Sequence, residues 1–215
     1  MESRKDKLEV LKTAVQQCMK CSSLVFSRKL YPYGKPTFGY GNANTTVVFV
    51  GMCPGMYGCG TYGIPFYGDA SGKLFQDMLH FIGLTKEDVW VTNTVKCCPE
   101  NNREPTLDEI NSCSSFLRSE LSILQPKLIV PLGLTAIKMF MPLMNTVWEV
   151  NAKPIKVSNI TYGVATVFPL YHPAAICRNM AKLDNYKQDW LKLKACIFAV
   201  PEEYKNLEDN KYGGD

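Results

Sequence analysis

The chain has 215 residues, of which 46% are hydrophobic, 11% aromatic and 20% charged. This composition is that of a folded globular protein, so it excludes disorder as the main state, and the length suits one sizeable domain. The formal net charge of +4, from 24 basic and 20 acidic side chains, permits a polyanionic partner without requiring one.

The most apolar runs, at 46–51 and 127–134, are too short for a helix that crosses a bilayer. The N-terminal residues are charged and no apolar segment follows them, which is unlike a secretory signal. We therefore expect a cytoplasmic protein without membrane contact. In such a chain nine cysteines, an odd number, favour free thiols or metal ligation over a disulfide framework.

The first predicted element is an amphipathic helix at 5–19, where apolar residues recur at helical spacing. A β-branched apolar run at 45–50 then predicts a buried strand. A long Gly-rich loop follows this strand, and residues 70–82 predict a helix that ends at Gly83.

Strands and helices continue to alternate toward the C-terminus. Further strands are predicted at 88–93, 127–131 and 164–170, and further helices at 106–124, 133–141 and 184–200. Thr106 and Glu109 form a capping-box pattern at the start of one of these helices. The alternation predicts a layered α/β/α fold around a short, mainly parallel sheet of four strands. No repeat or linker divides the chain, so we predict one domain over 1–200 and a polar C-terminal tail over 201–215.

Residues suited to chemistry follow three of the predicted strands. Gly-Met-Cys-Pro-Gly at 51–55 follows the first, Asn93 ends the second, and His172 follows the last. Because open parallel sheets bind ligands at the carboxyl ends of their strands, we expect these residues to meet in one pocket. The alternative is that strand ends simply need turn residues. Neither a Walker loop nor a dinucleotide-binding glycine motif is present, so we expect no nucleotide cofactor.

The two histidines differ in their surroundings. His80 lies inside a predicted helix, which favours a structural role. His172 follows a strand and precedes Pro173, so its backbone is constrained on both sides. An imidazole held in this way can act as an electrostatic or acid–base group.

The cysteines include one metal-binding pattern. Cys18 and Cys21 have the C-x2-C spacing with which two thiolates hold one metal centre, and Cys97, Cys98 and Cys113 could supply further ligands. The alternative is a set of buried free thiols. This spacing does not separate zinc from an iron–sulfur cluster.

Five segments stand in a specific order. They are Val-Gly-Met-Cys-Pro-Gly at 50–55, Gly-Ile-Pro-Phe-Tyr-Gly-Asp-Ala-Ser-Gly at 63–72, Asp-Val-Trp-Val-Thr-Asn-Thr-Val-Lys-Cys at 88–97, Asn-Arg-Glu-Pro-Thr at 102–106 and Tyr-His-Pro-Ala-Ala at 171–175. Together they resemble the iron–sulfur (family 4) uracil-DNA glycosylases of the uracil-DNA glycosylase superfamily. The resemblance covers residues 18–193, almost the whole chain.

The resemblance implies a [4Fe-4S] cluster held by four cysteines, which are Cys18, Cys21, Cys97 and Cys113. Cys97 is preferred to Cys98 because it directly follows Lys96, where the family keeps its ligand. The resemblance also implies a monofunctional DNA-repair enzyme that flips uracil, or another deaminated base, out of DNA and hydrolyses the N-glycosidic bond. Its partner is uracil-containing DNA, and we expect a monomer.

The same resemblance implies roles for residues of the pocket. Phe66 stacks on the extruded base, Asn93 reads its edge, and His172 donates to its O2, where negative charge develops. Backbone N–H groups of the turn that begins at Gly51 could add donors. Ile176 would be an apolar wedge in the duplex and Arg178 a phosphate contact; the alternatives are core packing and a solvated charge.

The first segment departs from the family. Met52 stands where the family carries a glutamate, and Cys53 stands where the single-strand-selective monofunctional uracil glycosylases, which this segment also resembles, carry asparagine. Either bond breaking is mainly dissociative or Asp69, the nearest carboxylate, activates water. We therefore include Met52, Cys53 and Asp69 with His172 as candidate catalytic residues. The competing hypotheses are a non-catalytic or weakly active nucleic-acid-binding protein of this fold and a zinc-ribbon-like structural module.

Overall fold

The computed structural model describes residues 2–198, so the predicted tail at 201–215 lies outside the described residues. The described chain forms one sheet, and its strands are β1 (Tyr40–Gly41), β2 (Val47–Gly51), β3 (Trp90–Asn93), β4 (Leu128–Pro131), β5 (Ile155–Asn159) and β6 (Gly163–Val167). Their order across the sheet is β1-β3-β2-β4-β6-β5. The four central strands are parallel, and β1 and β5 pair antiparallel at the two edges.

The predicted α/β class is confirmed, but the predicted number of strands is wrong, since the sheet has six strands rather than four. The four predicted strands are the central parallel ones. Strand β1 is only two residues long, and β5 is largely exposed, so neither has the apolar run by which the central strands were found. Both edge strands depend on pairing with a neighbour that is already in place.

The helices surround this sheet. They are α1 (Arg4–Gln16), α2 (Ser22–Arg28), α3 (Cys59–Tyr62), α4 (Ala70–Phe81), α5 (Leu107–Leu124), α6 (Leu134–Lys138), α7 (Pro173–Cys177) and α8 (Leu183–Phe198). The predicted helix at 5–19 ends earlier, at Gln16, and the cysteine pair lies between α1 and α2. Within residues 2–198, no helix is both long and apolar enough to span a membrane.

Strand β2 shows how the layers form. Its side chains alternate between the two faces of the sheet. Phe49 packs with Phe75 of α4 and stacks on Trp190 of α8, with ring centroids 5.2 and 5.7 Å away. Val48 and Val50 belong to the core on the opposite face, where α1 and α5 pack. The sheet is therefore covered on both faces, as the α/β/α prediction requires.

The capping box predicted at the start of α5 is present. The Thr106 hydroxyl accepts from the Glu109 N–H at 3.3 Å, and the Glu109 carboxylate accepts from the Thr106 N–H at 2.8 Å. This reciprocal pair satisfies two amides that the first turn of the helix leaves without partners. The local sequence signal therefore defines where α5 begins.

Candidate active site

A pocket of about 520 Å³ opens at the carboxyl ends of the parallel strands. Seven of the predicted site residues line it, and they are Met52, Cys53, Phe66, Asp69, Asn93, His172 and Arg178. They come from the loops after β2, β3 and β6, so the predicted convergence of strand ends occurs in the structure. Gly51 lies behind this lining. A side chain at this position would overlap the Asn93 amide oxygen and come within 3.2 Å of the Phe66 ring, so the close approach requires glycine.

Phe66 forms one wall of the pocket. Its ring centroid lies 5.4 Å from that of His172 and 4.5 Å from that of Phe75. Its backbone has a φ of 52°, which is rare for a bulky side chain and marks local strain. The Gln76 side-chain amide of α4 donates to the Phe66 carbonyl at 2.9 Å and holds this conformation. The backbone that carries the aromatic ring is thereby held in place.

Asn93 is the last residue of β3 and is only 4% exposed. The turn after it, residues 93–97, is bound to the loop after β2. Thr94 N–H donates to the Gly51 carbonyl at 2.9 Å, and Val95 N–H donates to the Met52 carbonyl at 2.9 Å. These bonds set the position of Asn93 relative to the first segment, and its amide lines the pocket.

His172 caps the N-terminus of α7. Its Nδ1 accepts from the Ala174 N–H at 3.1 Å, and Pro173 occupies the first helical position. Burial lowers the pKa of His172 to about 4, an effect that nearby Asp69 opposes and Arg178 reinforces. The imidazole is therefore neutral near pH 7. Because Nδ1 is an acceptor, the proton lies on Nε2, which is left as a donor for a ligand.

Asp69 caps α4 with one of its oxygens. Oδ1 accepts from the Gly72 N–H at 2.7 Å and from the Ser71 hydroxyl at 2.8 Å. The other oxygen, Oδ2, faces the loop after β2, because a Cβ at Gly55 would lie 3.5 Å from it and one at Gly58 would overlap it. The carboxylate thus stands between the helix end and the first segment, on the wall of the pocket.

Met52 and Cys53 line the pocket with side chains that are poor proton acceptors. Burial raises the pKa of the Cys53 thiol, and the nearby Cys98 and Cys59 add to this effect. Cys53 is consequently a neutral thiol near pH 7. Neither side chain supplies a charged acceptor for a water molecule.

The lining also contains residues to which the sequence motifs gave no role, among them Tyr57, Asn102 and Glu104. The Asn102 side-chain oxygen accepts from the Met56 N–H at 2.7 Å and joins the 102–106 segment to the loop after β2. Asn102 and Glu104 belong to the Asn-Arg-Glu-Pro-Thr segment at 102–106. The motif itself gave these two residues no role. Tyr57 lies at the pocket mouth and is 71% exposed.

The two predicted DNA contacts lie in different surroundings. Ile176 is 2% exposed and packs in the core between α7 and the sheet, which agrees with the core-packing alternative. Arg178, at the end of α7, is exposed at the rim of the pocket. In this structure only Arg178 is placed to meet a ligand directly.

A second, smaller cavity lies at the other end of the 93–97 turn. Its lining includes all four predicted ligands, Cys18, Cys21, Cys97 and Cys113. The Lys96 N–H donates to the Cys113 sulfur at 3.3 Å, and the Arg28 guanidinium donates to the Cys18 carbonyl at 2.7 Å. Cys98 is not part of this lining and lies near Tyr31. Of the two neighbouring cysteines, Cys97 lines the cavity and Cys98 does not.

The thiols of this cavity match the number of sulfur donors that a [4Fe-4S] cluster takes. Within residues 2–198, no three His, Cys, Asp or Glu side chains are arranged to hold one metal ion. A [4Fe-4S] cluster takes four cysteine thiolates as ligands, and the lining of this cavity provides four. Burial raises the pKa of Cys97 to about 12, which leaves it a thiol unless a metal displaces the proton. A set of four sulfur donors, of which Cys97 and Cys113 are buried and Cys18 and Cys21 are partly exposed, fits an iron–sulfur cluster.

The comparisons with known proteins agree with this geometry. Residues 38–196 match the sequence model of the Uracil DNA glycosylase superfamily. The chain belongs to this superfamily. The resemblance found in the sequence motifs is thereby confirmed, and the matched region contains every candidate residue of the pocket.

Several similar proteins carry the name type-4 uracil-DNA glycosylase. The one from Saccharolobus solfataricus is 33% identical to this chain, over 94% of the chain and 92% of the relative. The one from Archaeoglobus fulgidus is 34% identical, over 87% and 92%. The one from Thermotoga maritima is 36% identical, over 83% and 88%. The similarity therefore extends over nearly the full length of each relative.

Proposed function

We propose that this superfamily member is a monofunctional uracil-DNA glycosylase that acts in DNA repair. It extrudes uracil from DNA, hydrolyses the N-glycosidic bond and leaves an abasic site. The observation that supports this most is the convergence of Phe66, Asn93 and His172 on one pocket, with an aromatic face, an amide and a neutral imidazole. These are the groups needed to stack on a flipped base, read its edge and stabilise its anion.

Base recognition rests on two rigid side chains. Taking a base out of the stack costs a few kcal/mol, and stacking on the Phe66 ring returns ~1–3 kcal/mol. The Asn93 amide accepts from uracil N3–H and donates to O4. Cytosine presents the reverse pattern and would leave buried polar groups without partners, so the site discriminates against it.

Bond cleavage relies on stabilisation of the leaving group. As the N-glycosidic bond breaks, negative charge develops on the uracil, including its O2. The Nε2–H of His172 donates to this oxygen, and the α7 cap holds the ring in the required orientation. A donor placed where charge develops acts like one arm of an oxyanion hole.

Water must then attack the sugar carbon, and Asp69 is the group we assign to orient it. Its Oδ1 is engaged at the α4 cap, which leaves Oδ2 toward the pocket side of the loop after β2. None of the described residues that line the pocket is a lysine, so a Schiff-base lyase step has no nucleophile there. The enzyme is accordingly monofunctional.

DNA binding uses the rim of the pocket. Arg178 is exposed beside the pocket and suits a phosphate of the strand that carries the uracil. Tyr57 offers the exposed apolar surface at the mouth, so we assign it the contact with the bases that flank the extruded nucleotide. Ile176, a residue of α7, packs in the core and anchors this helix.

We further propose that Cys18, Cys21, Cys97 and Cys113 hold a [4Fe-4S] cluster. These four residues would hold the cluster between the end of α1, the start of α2, the 93–97 turn and α5, and the cluster would supply a cross-link between these segments. The cysteines line a cavity that is separate from the base pocket. The cluster is therefore structural, and the chain's own side chains carry out the steps described above.

The test is excision of uracil from a labelled oligonucleotide, read by alkaline cleavage at the abasic site. Treatment with the wild-type protein should make uracil DNA cleavable by alkali and leave the cytosine control intact. His172→Ala should lower the single-turnover rate on the order of 10²–10³-fold, as removal of one oxyanion-hole donor does. His80→Ala, on the exposed face of α4, is the matched control. Binding of uracil DNA without any cleavage would instead support the non-catalytic alternative.

A further inference from the structure

The turn that carries Asn93 contains a buried lysine. Lys96 is 1% exposed, and its ammonium group has three acceptors at short distance. It donates to the Thr92 hydroxyl at 2.6 Å, to the Asn93 carbonyl at 2.9 Å and to the Glu120 carboxylate at 2.7 Å. The three donors of the ammonium are thus matched by three acceptors.

Glu120, which reaches this turn from α5, is equally buried at 0% exposed. Its Oε2 also accepts from the Thr92 hydroxyl at 2.7 Å, and its Oε1 accepts from the Gly39 N–H at 3.2 Å. The ion pair is therefore enclosed and fully hydrogen-bonded. One lysine and one carboxylate join a strand, its following turn, a loop and a helix beneath the pocket.

Stability alone does not explain why an ion pair stands at this position. Removing two charges from water is costly, and a packed apolar pair of similar volume is often as stable or more stable. What an apolar pair lacks is a donor for the Asn93 carbonyl. The contact that distinguishes Lys96 from a leucine or methionine is thus the one that it makes with the residue proposed to read the base.

Lys96 also stands between the two sites of the molecule. Its side chain holds the Asn93 carbonyl at the edge of the base pocket, while its own N–H donates to the sulfur of Cys113 at 3.3 Å. The next residue, Cys97, lines the cysteine cavity. The base-reading amide and a cluster ligand therefore belong to one short turn, residues 93–97.

We propose that Lys96, held in place by Glu120, is a positioning residue that sets the direction in which Asn93 presents its amide to the base. This inference rests on the proposed role of Asn93 in reading uracil. The ion pair fixes the carbonyl of Asn93 and therefore the backbone from which its side chain leaves. A displacement of about 1 Å at such a position can reduce a rate on the order of 10²-fold.

The decisive variant replaces both charges, Lys96→Met with Glu120→Leu, because loss of one partner alone leaves a buried charge and endangers the fold. We expect the double variant to keep the thermal unfolding midpoint within a few degrees of wild type and to keep the cluster absorbance. Its single-turnover excision of uracil should fall on the order of 10–100-fold. Its preference for uracil over cytosine DNA and its affinity for free uracil should fall as well.

The control removes another lysine–carboxylate pair in the same way. Lys73→Ala with Asp77→Ala breaks an exposed pair on α4 and should change none of these quantities. If the double variant at 96 and 120 loses its fold, Thr92→Val decides the question, because it removes one acceptor of the ammonium and leaves both charges. A smaller loss of uracil preference is expected there.

Failure of the inference about Lys96 can be distinguished from failure of the proposed function. If wild-type protein excises uracil and the folded double variant matches it in rate, preference and uracil affinity, the ion pair is purely structural and the inference is wrong. The inference is also wrong if Thr92→Val has to decide and keeps the uracil preference of wild type. If wild-type protein itself leaves uracil DNA intact, the proposed function fails, and this inference fails with it.

Discussion

His172 and Asp69 each cap the N-terminus of a helix. Each caps a helix with one atom, Nδ1 in His172 and Oδ1 in Asp69, and each residue lines the pocket with a second polar atom that the cap does not use. A cap bond fixes the rotamer of a side chain, because the amide that it satisfies belongs to a rigid helix end. Caps at α4 and α7 thus pre-orient two groups whose chemistry depends on direction.

The pH dependence of His172 follows from this cap and from burial. The folded protein holds its pKa at about 4, whereas an unfolded chain protonates histidine at about 6.5. Excision should therefore keep its dependence on neutral His172 down to about pH 4, where a proton on Nδ1 would break the bond from Ala174. A titration of the imidazole by NMR measures this directly.

The same shift has a consequence for stability. Between about pH 6.5 and pH 4 the unfolded chain binds a proton that folded His172 resists, so the free energy of unfolding falls as the pH is lowered through this window. His172→Ala should lack this component of the decline. Equal pH dependence of urea denaturation in the two proteins would show that His172 titrates near its ordinary pKa.

Substitutions of Tyr57 and Ile176 should have different effects, one on excision from duplex DNA and the other on the stability of the fold. Tyr57→Ala should lower excision from duplex DNA roughly 10-fold and leave single-stranded substrates nearly unchanged, because only a duplex must be held open. Ile176→Ala should lower the free energy of unfolding by about 2–4 kcal/mol and affect both substrates alike, since its side chain fills the core. A selective duplex defect in a fully stable Ile176→Ala protein would assign the wedge to Ile176 instead.

At the scale of elements, Glu109 joins three segments around the start of α5. Its carboxylate accepts from both arms of the Arg103 guanidinium at 2.8 and 2.7 Å and from the Ser23 hydroxyl of α2 at 2.7 Å. It also completes the capping box with Thr106. The 102–106 segment, which contributes to the pocket wall, is held against α2 and α5 by this one residue.

The lowered pKa of Glu109 allows its contribution to stability to be tested. The Arg103 hydrogen bonds, with those from Thr106 and Ser23, lower it to about 2 against an unfolded value of about 4.3. The resulting stability is present above the unfolded pKa and is lost as the pH falls toward 2. Glu109→Gln should lower the free energy of unfolding by about 1.5–3 kcal/mol at pH 7, and by less at pH 3.

Urea denaturation of both proteins at the two pH values measures this difference. Glu100→Gln, an exposed carboxylate near the same segment, is the matched control and should leave the unfolding free energy unchanged. A penalty for Glu109→Gln that is equal at pH 7 and pH 3 would mean that the contacts of Glu109 do not depend on its charge.

At the scale of the whole molecule, the cysteine cavity connects the N-terminal helices to the sheet and to α5. Cys18→Ser should reduce the broad absorbance at about 400 nm that iron–sulfur ligation produces, and should lower the thermal unfolding midpoint. Excision should fall only as the folded fraction falls. Cys196→Ser, on α8 and away from the cavity, is the control. Zinc without iron in anaerobically purified protein would contradict the proposed cluster.

The central sheet could be predicted because its signals are local. Buried parallel strands appear as continuous β-branched runs, as in β2 and β4, and the capping box marks the start of α5 within four residues. The pocket residues were found because Asn93 and His172 end or follow such strands, and strand ends of a parallel sheet meet at one edge. These inferences need no knowledge of distant contacts.

Edge strands, buried side chains and buried ion pairs depend on residues that are far apart in the chain. They become visible only in the folded protein. Edge strand β5 forms because β6 offers it a partner, and Ile176 is buried because α7 packs on α4. The pairing of Lys96 with Glu120 spans 24 positions of sequence and leaves no local pattern. The alternating strands and helices, and the reactive residues at the strand ends, follow from local sequence patterns. Side-chain burial and buried pairing were decided by the tertiary structure, because they depend on which surfaces the packed elements bring together.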